Sequence, residues 1–166
     1  AAIYWLARMI EGGEDIKFIA RRMIILAAED IGNANPNALL LANNCFQAIQ
    51  NIGMPESRII LSQTAIYLSC SEKSNSSYKA INKAQEEVMK SGNLQVPIHL
   101  TNSDKYSNTN KKNKYKYTHD FNNNFINQEY LPDKIKGKKI YNPGENKHEK
   151  KYKVLLKKLW ENKYDY

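Results

Sequence analysis

Residues 12–32 carry the markers of both ends of a helix, and this segment constrains the fold more than any other. Asp15 is placed to accept a hydrogen bond from an N–H group of the first helical turn. Gly32 suits the left-handed backbone that closes many helices. Between these two residues, apolar side chains recur on one helical face, namely Ile16, Ile19, Ala20, Met23, Ile24 and Ala27. The segment therefore predicts an amphipathic helix over residues 16–31 that needs partners to cover its apolar face.

Four more helices are predicted in the first hundred residues, each with its own start or stop signal. They are a first helix with Ile3, Leu6, Ala7 and Ile10 that ends at Gly12, a third that Asn35 caps and Gly53 ends, a fourth that Pro55 opens, and a fifth that Ser74 and Asn75 cap and Gly92 ends. The fifth helix carries Tyr78, Ile81, Gln85 and Val88 on one face. The fourth is apolar on two faces, which indicates a central position in the bundle or a second layer of burial against another subunit.

The remaining residues differ from the first hundred in charge and pattern. Residues 1–100 contain nine lysines and arginines and nine acidic residues, so the net charge of +8 lies in residues 101–166. Residues 101–114 are polar, lack periodicity and are expected to be mobile. Residues 115–132 are expected to be irregular and held to the bundle by Phe121, Phe125, Tyr130 and Leu131. A short basic amphipathic helix follows, with Tyr152, Leu155, Leu156, Leu159 and Trp160 on its apolar face.

These patterns predict an all-α fold. About five helices form a bundle in residues 1–100, and residues 101–166 form a basic extension, rich in Tyr, Lys and Asn, that packs on this core and ends in a short helix. The two parts make one domain, which agrees with a length of 166 residues.

Several segments, in order along the chain, resemble the C-terminal domain of the replication-associated recombination AAA+ ATPases. This RarA/MgsA family includes the Werner-helicase-interacting protein and is related to the collar of clamp loaders. The segments that carry the resemblance lie at residues 2–9, 12–32, 52–59 with 65–68, 73–78, 96–100, and 115–120 with 128–133. Together they cover nearly the whole chain, so the resemblance concerns the domain and not one motif.

The resemblance implies an oligomerisation domain that forms a homotetramer, with the first, third and fourth helices as the expected contacts. It also implies a parent DNA-dependent ATPase that acts in replication, recombination and repair at stalled forks or gapped DNA. The chain has no Gly-x-x-x-x-Gly-Lys-Ser/Thr loop, so we expect no enzyme activity from it, and ATP and magnesium are expected upstream. Candidate polar contacts in the family segments are Arg21, Arg22, Glu29, Asp30, Lys73, Ser74 and Asn75.

Two alternative functions stay open at this point. The extension combines lysines, which contact phosphates, with tyrosines, which stack on unpaired bases, and this suits single-stranded or gapped DNA. The candidate contacts are Lys111, Lys112, Lys114, Tyr115, Lys116, Lys138 and Lys139, although a lysine-rich solvated surface would have the same composition. The second alternative is a docking module for a replication protein, for example the acidic tail of single-strand-binding protein, bound by Arg or Lys beside an apolar pocket.

Other classes of function have little support in the sequence. Cys45 and Cys70 suit reduced core positions, and the three histidines have no Cys or His at metal-ligand spacing. We therefore expect no catalytic, cofactor or metal site in this chain. No apolar run approaches the roughly 20 residues that span a bilayer. The expected location is cytoplasmic and nucleoid-associated, with no membrane partner.

Overall fold

The computed structural model describes residues 1–101 and 115–166, and all regular structure in these two ranges is helical. The α-helices are α1 (Ala2–Glu11), α2 (Ile16–Leu26), α3 (Asn37–Ile52), α4 (Ser57–Cys70), α5 (Ser76–Ser91) and α6 (Lys147–Trp160). Short 3-10 turns lie at Ile98–Leu100, Thr118–Asp120, Asn122–Asn124 and Asp133–Ile135. The predicted all-α class is confirmed.

Helix α2 begins as predicted but ends differently. The side chain of Asp15 accepts a hydrogen bond of 2.9 Å from the Lys17 N–H, so Asp15 caps the helix. After Leu26 the chain widens into a π-helical turn, Ala27–Ile31, and then tightens into a 3-10 turn at Gly32–Ala34. Gly32 has a φ of +49° but a ψ of −133°, so its backbone is not the left-handed helical one that the sequence predicts.

Helices α1 to α4 form the core of the bundle. One buried cluster joins Leu6 and Ile19 to Ile49 and Leu61, and a second lies around Ile31. Helix α4 contributes to both clusters through Leu61, Ala65 and Leu68, which places it at the centre of the bundle. Its second apolar face, which includes Ile59 and Ile66, remains exposed.

Two predicted helix caps are wrong in detail. Asn35 does not cap α3, because its side-chain amide donates hydrogen bonds to Tyr67 Oη at 3.0 Å and Ser71 Oγ at 3.1 Å. These bonds fix the loop between α2 and α3 to the end of α4. Asn75 precedes α5 but makes no side-chain capping bond, and Ser74 Oγ instead accepts from the Ser76 N–H at 3.3 Å.

The last helices pack less deeply than α1 to α4. In α5 the one buried residue is Ser76, and the predicted apolar face is exposed. In α6, the Trp160 ring packs edge-on against Phe125, with ring centroids 4.9 Å apart, and against Tyr130 at 6.2 Å. Two of the aromatic anchors predicted for the extension thus contact α6, whereas Phe121 is exposed.

Candidate functional site

Three distant segments meet at one polar cluster beside the bundle. They are the end of α2, the turn before α5 and the turn before α6. The Ser74 N–H donates to the Asp30 carbonyl oxygen at 2.7 Å, and Asn33 Nδ2 donates to Ser77 Oγ at 3.1 Å. A Cβ on Gly32 would lie 2.9 Å from the Ser74 carbonyl oxygen, so the two turns approach this closely only because residue 32 is glycine.

Glu149, in the first turn of α6, is the centre of this polar cluster and is fully buried. Its carboxylate accepts hydrogen bonds from Ser76 Oγ, from Tyr141 Oη at 2.8 Å and from Asn146 Nδ2 at 2.6 Å. Burial opposes ionisation, but these bonds and one from Ser74 outweigh it and lower the pKa of Glu149 to about 2. The carboxylate is therefore a buried anion held by four donors.

Two neighbours show how closely this carboxylate is surrounded. Burial raises the pKa of Tyr141 to about 12, and the hydrogen bond to the Glu149 carboxylate and its charge add to the effect. A Cβ on Gly144 would lie 2.6 Å from Glu149 Oε2. The polar cluster thus ties α5, α6 and the end of α2 together, and its groups are occupied with one another rather than turned towards a ligand.

Sequence reasoning finds part of this cluster and misses its centre. Asp30 and Ser74 are among the predicted polar contacts, and the structure brings them together. Glu149 is missed, although the spacing of Asn146 and Glu149 is typical of a capping box. The Asn146 side-chain oxygen does accept from the Glu149 N–H at 2.9 Å.

The other predicted polar residues lie apart from the cluster's centre. Lys73 Nζ donates to the Leu68 carbonyl oxygen at 2.9 Å and also to that of Ser71, so it closes the end of α4. Asn75 is exposed, and Glu29 is half-buried in the π-helical turn. Arg21 forms an exposed ion pair of 3.8 Å with Asp15, a type of contact that contributes little to stability.

The predicted nucleic-acid contacts are not gathered on one surface of the described residues. Lys138 Nζ lies 2.6 Å from Glu87 Oε2, and Lys139 Nζ donates to the Asp165 carbonyl oxygen at 2.6 Å. Both lysines therefore hold the extension to α5 and to the C-terminus. Tyr115 and Lys116 are exposed, and Lys111, Lys112 and Lys114 lie outside the described residues.

Two apolar grooves flank α1 and leave large side chains exposed. The α1–α4 groove has a volume of about 590 Å³ and is lined by Ile3, Leu6, Ala7, Ile10, Glu11, Arg58, Ile59, Ser62, Gln63 and Ile66. The α1–α2 groove has a volume of about 360 Å³, and its lining includes Trp5, Met9, Phe18, Leu26, Arg22 and Lys73. Because Leu6 lines both grooves, α1 forms a ridge between two apolar surfaces.

The described ranges contain no helix long and apolar enough to cross a membrane. Among the same residues, no three His, Cys, Asp or Glu side chains are grouped so that they could hold a metal ion.

Nearly the whole chain matches one known family. The model of the family described as MgsA AAA+ ATPase C terminal matches residues 1–160. The chain belongs to this family. The resemblance to the RarA/MgsA proteins found in the sequence is thus confirmed, and the polar cluster and the two grooves are features of an MgsA C-terminal domain.

Relatives of this MgsA C-terminal domain are longer proteins. The chain is 42% identical to an uncharacterised protein of Thermotoga maritima over 166 residues, which are 99% of this chain and 27% of that protein. It is 38% identical to Replication-associated recombination protein A of Coxiella burnetii over 86% of this chain and 33% of that protein. The protein of the same name in Bacillus subtilis is also 38% identical, over 97% of this chain and 38% of its own length. The chain therefore spans well under half of these relatives.

Proposed function

We propose that this chain is the oligomerisation domain of a RarA/MgsA-like DNA-dependent AAA+ ATPase that acts in DNA replication, recombination and repair. In this proposal the chain hydrolyses no ATP itself, and the ATP and magnesium sites lie in another part of the protein. Copies of the chain join as a homotetramer. The observation that supports self-association is the exposed apolar surface of the α1–α4 groove.

The groove has the composition of a surface that packs against another protein. Ile59 is 63% exposed and Ile66 is 51% exposed, although both lie on the central helix of the bundle. Burying such side chains contributes roughly 25 cal/mol for each Å² removed from water. A helix that is buried on one face and apolar on the other gains this energy only when a second surface covers it.

The rim of the same groove favours a contact between identical copies. Glu11 and Arg58, which carry opposite charges, both line it. In a two-fold contact, each residue meets the partner's copy of the other, so one pair of charges supplies two complementary contacts. Such contacts would hold the ATPase modules at a high effective concentration around DNA.

A substitution at the centre of the groove tests this proposal. Ile59→Glu would place a charge in the contact, and we expect the mass by light scattering to fall from about four times 19.2 kDa to a smaller species. Val154→Glu is the matched control, because Val154 is 70% exposed and lies on α6, away from the groove. The proposal fails if Ile59→Glu leaves the mass of the wild-type oligomer unchanged, or if Val154→Glu lowers it equally.

The α1–α2 groove supports a second candidate function, the docking of an acidic, apolar peptide such as the tail of single-strand-binding protein. Trp5 and Phe18 supply apolar contacts, and Arg22 supplies a cation at the edge. Fluorescence anisotropy with such a peptide is expected to show binding that Arg22→Glu abolishes. Arg21→Glu is the control, since Arg21 is adjacent in sequence but does not line the groove. Equal loss with both variants, or no binding by the wild type, would exclude this candidate.

A further inference from the structure

Helix α5 presents three distinct faces, and its large apolar side chains lie on one that the chain does not cover. The face towards the rest of the protein consists mainly of small residues, including Ser76, Ala80 and Ala84. The apolar face carries Tyr78, Ile81, Gln85, Val88 and Met89, all of which are exposed. Val88 is 65% exposed and Met89 is 77% exposed, so this face is more open than most of the bundle. The helix therefore has an apolar face without a partner in the described part of the chain.

The spacing on this face is that of a helix that packs along another helix. Seven residues separate Tyr78 from Gln85, and seven separate Ile81 from Val88. A seven-residue repeat keeps the same positions in the seam between two helices over successive turns. Gln85 is a polar residue within the seam, which favours one register at some cost in stability.

The charges beside the seam select the direction of the partner helix. Lys79 and Glu86 lie on the third, charged face, next to the apolar one and also seven residues apart. In a parallel pair of identical helices, like charges would lie opposite each other. In an antiparallel pair centred between these residues, Lys79 of each copy lies beside Glu86 of the other. The other two charges near the centre are held within the chain, because Lys83 donates to the Lys139 carbonyl oxygen and Glu87 pairs with Lys138.

We infer that the apolar face of α5 packs antiparallel against α5 of a second copy of this chain, across a two-fold axis. This inference rests on the proposed self-association and adds a second interface to the one at the α1–α4 groove. Two different two-fold interfaces on one chain generate a closed tetramer, a dimer of dimers. Each interface alone would give a dimer.

The experiment combines apolar disruption with a charge exchange, with mass measured by light scattering at one protein concentration. Val88→Glu is expected to reduce the tetramer to a dimer, and adding Ile59→Glu to reduce it further to a monomer. Lys79→Glu is expected to give a dimer as well, because two carboxylates then face each other across the contact. The double exchange Lys79→Glu with Glu86→Lys restores opposite charges and is expected to restore the tetramer. Lys158→Glu on α6 is the control with the same charge change.

The outcomes separate this inference from the proposed function. A tetramer that persists in Val88→Glu and in Lys79→Glu would overturn the α5 contact and leave the α1–α4 contact standing. Loss of the tetramer in Lys79→Glu without recovery in the double exchange would overturn the antiparallel arrangement. A wild-type monomer at every concentration would overturn both proposals. Circular dichroism of each variant shows that the helices remain folded, so a change in mass reports the contact itself.

Discussion

Replacing Glu149 by glutamine removes the buried charge while keeping nearly the same shape, and the structure gives the size of the effect. The pKa of Glu149 is about 2, against 4.5 for an ordinary glutamate. Each unit of difference corresponds to about 1.4 kcal/mol, so the ionised group contributes about 3 kcal/mol to the free energy of unfolding at pH 7. Glutamine offers one acceptor where the carboxylate has two, and it therefore leaves one of the donors Ser76, Tyr141 or Asn146 without its bond. We expect Glu149→Gln to lose about 3 kcal/mol at neutral pH.

The same difference in pKa fixes how this loss depends on pH. Because the pKa of Glu149 is lower in the folded protein, the stabilisation is fully present above about pH 5 and disappears as the pH falls towards 2. The difference in free energy of unfolding between wild type and Glu149→Gln should therefore narrow from about 3 kcal/mol at pH 7 to about 1.5 kcal/mol at pH 3.

Urea denaturation followed by circular dichroism, at pH 7, 5, 4 and 3 and one fixed protein concentration, measures this difference. Glu72→Gln is the control, because Glu72 is exposed and should follow the wild type at every pH. A Glu149→Gln variant within about 1 kcal/mol of the wild type at pH 7, or a large difference that stays constant with pH, would refute the reasoning.

Two further substitutions test the packing around the polar cluster and in the core. Gly32→Ala should destabilise the chain by about 2 kcal/mol, since φ is +49° and the new Cβ would lie 2.9 Å from the Ser74 carbonyl oxygen; urea denaturation at pH 7 measures the loss, and an unchanged midpoint would contradict the close approach. Leu61→Ala should cost about 3 kcal/mol, because Leu61 is fully buried, whereas Val154→Ala on the exposed side of α6 should change stability by less than about 0.5 kcal/mol. Similar losses for Leu61→Ala and Val154→Ala in that titration would contradict the assignment of the core.

The parts of the fold that follow from local rules could be predicted from the sequence. Asp15 caps α2 because an aspartate before an apolar helical pattern has an N–H group within reach. A glycine stands at residue 32, as helix ends often require, but its unusual ψ depends on the Ser74 turn that packs against it. The sequence contains no information about that contact at a distance of more than forty residues.

The centre of the polar cluster could not be predicted for the same reason. Glu149 receives a hydrogen bond from Ser76, which lies 73 residues away, and only the fold brings them together. A charged residue in a basic helix is ordinarily exposed, so its burial goes against the usual pattern. Local spacing indicated a cap at Asn146 but not the four donors that make burial possible.

The exposed apolar faces show a different limit. Periodicity identified the apolar residues of α4 and α5 correctly as one-sided patterns, but it cannot say whether the same chain or another copy covers them. On α4 the chain covers Leu61 and leaves Ile59 open, and on α5 it covers the small residues and leaves Val88 open. These two open faces are the basis of the proposed self-association.

The mass of the wild-type chain in solution tests the central claim most directly. Light scattering on a sizing column, over a concentration series, is predicted to give a mass of about four times 19.2 kDa, with a shift towards dimers on dilution. A mass of 19.2 kDa at every concentration would contradict the claim that these apolar faces join copies of the chain.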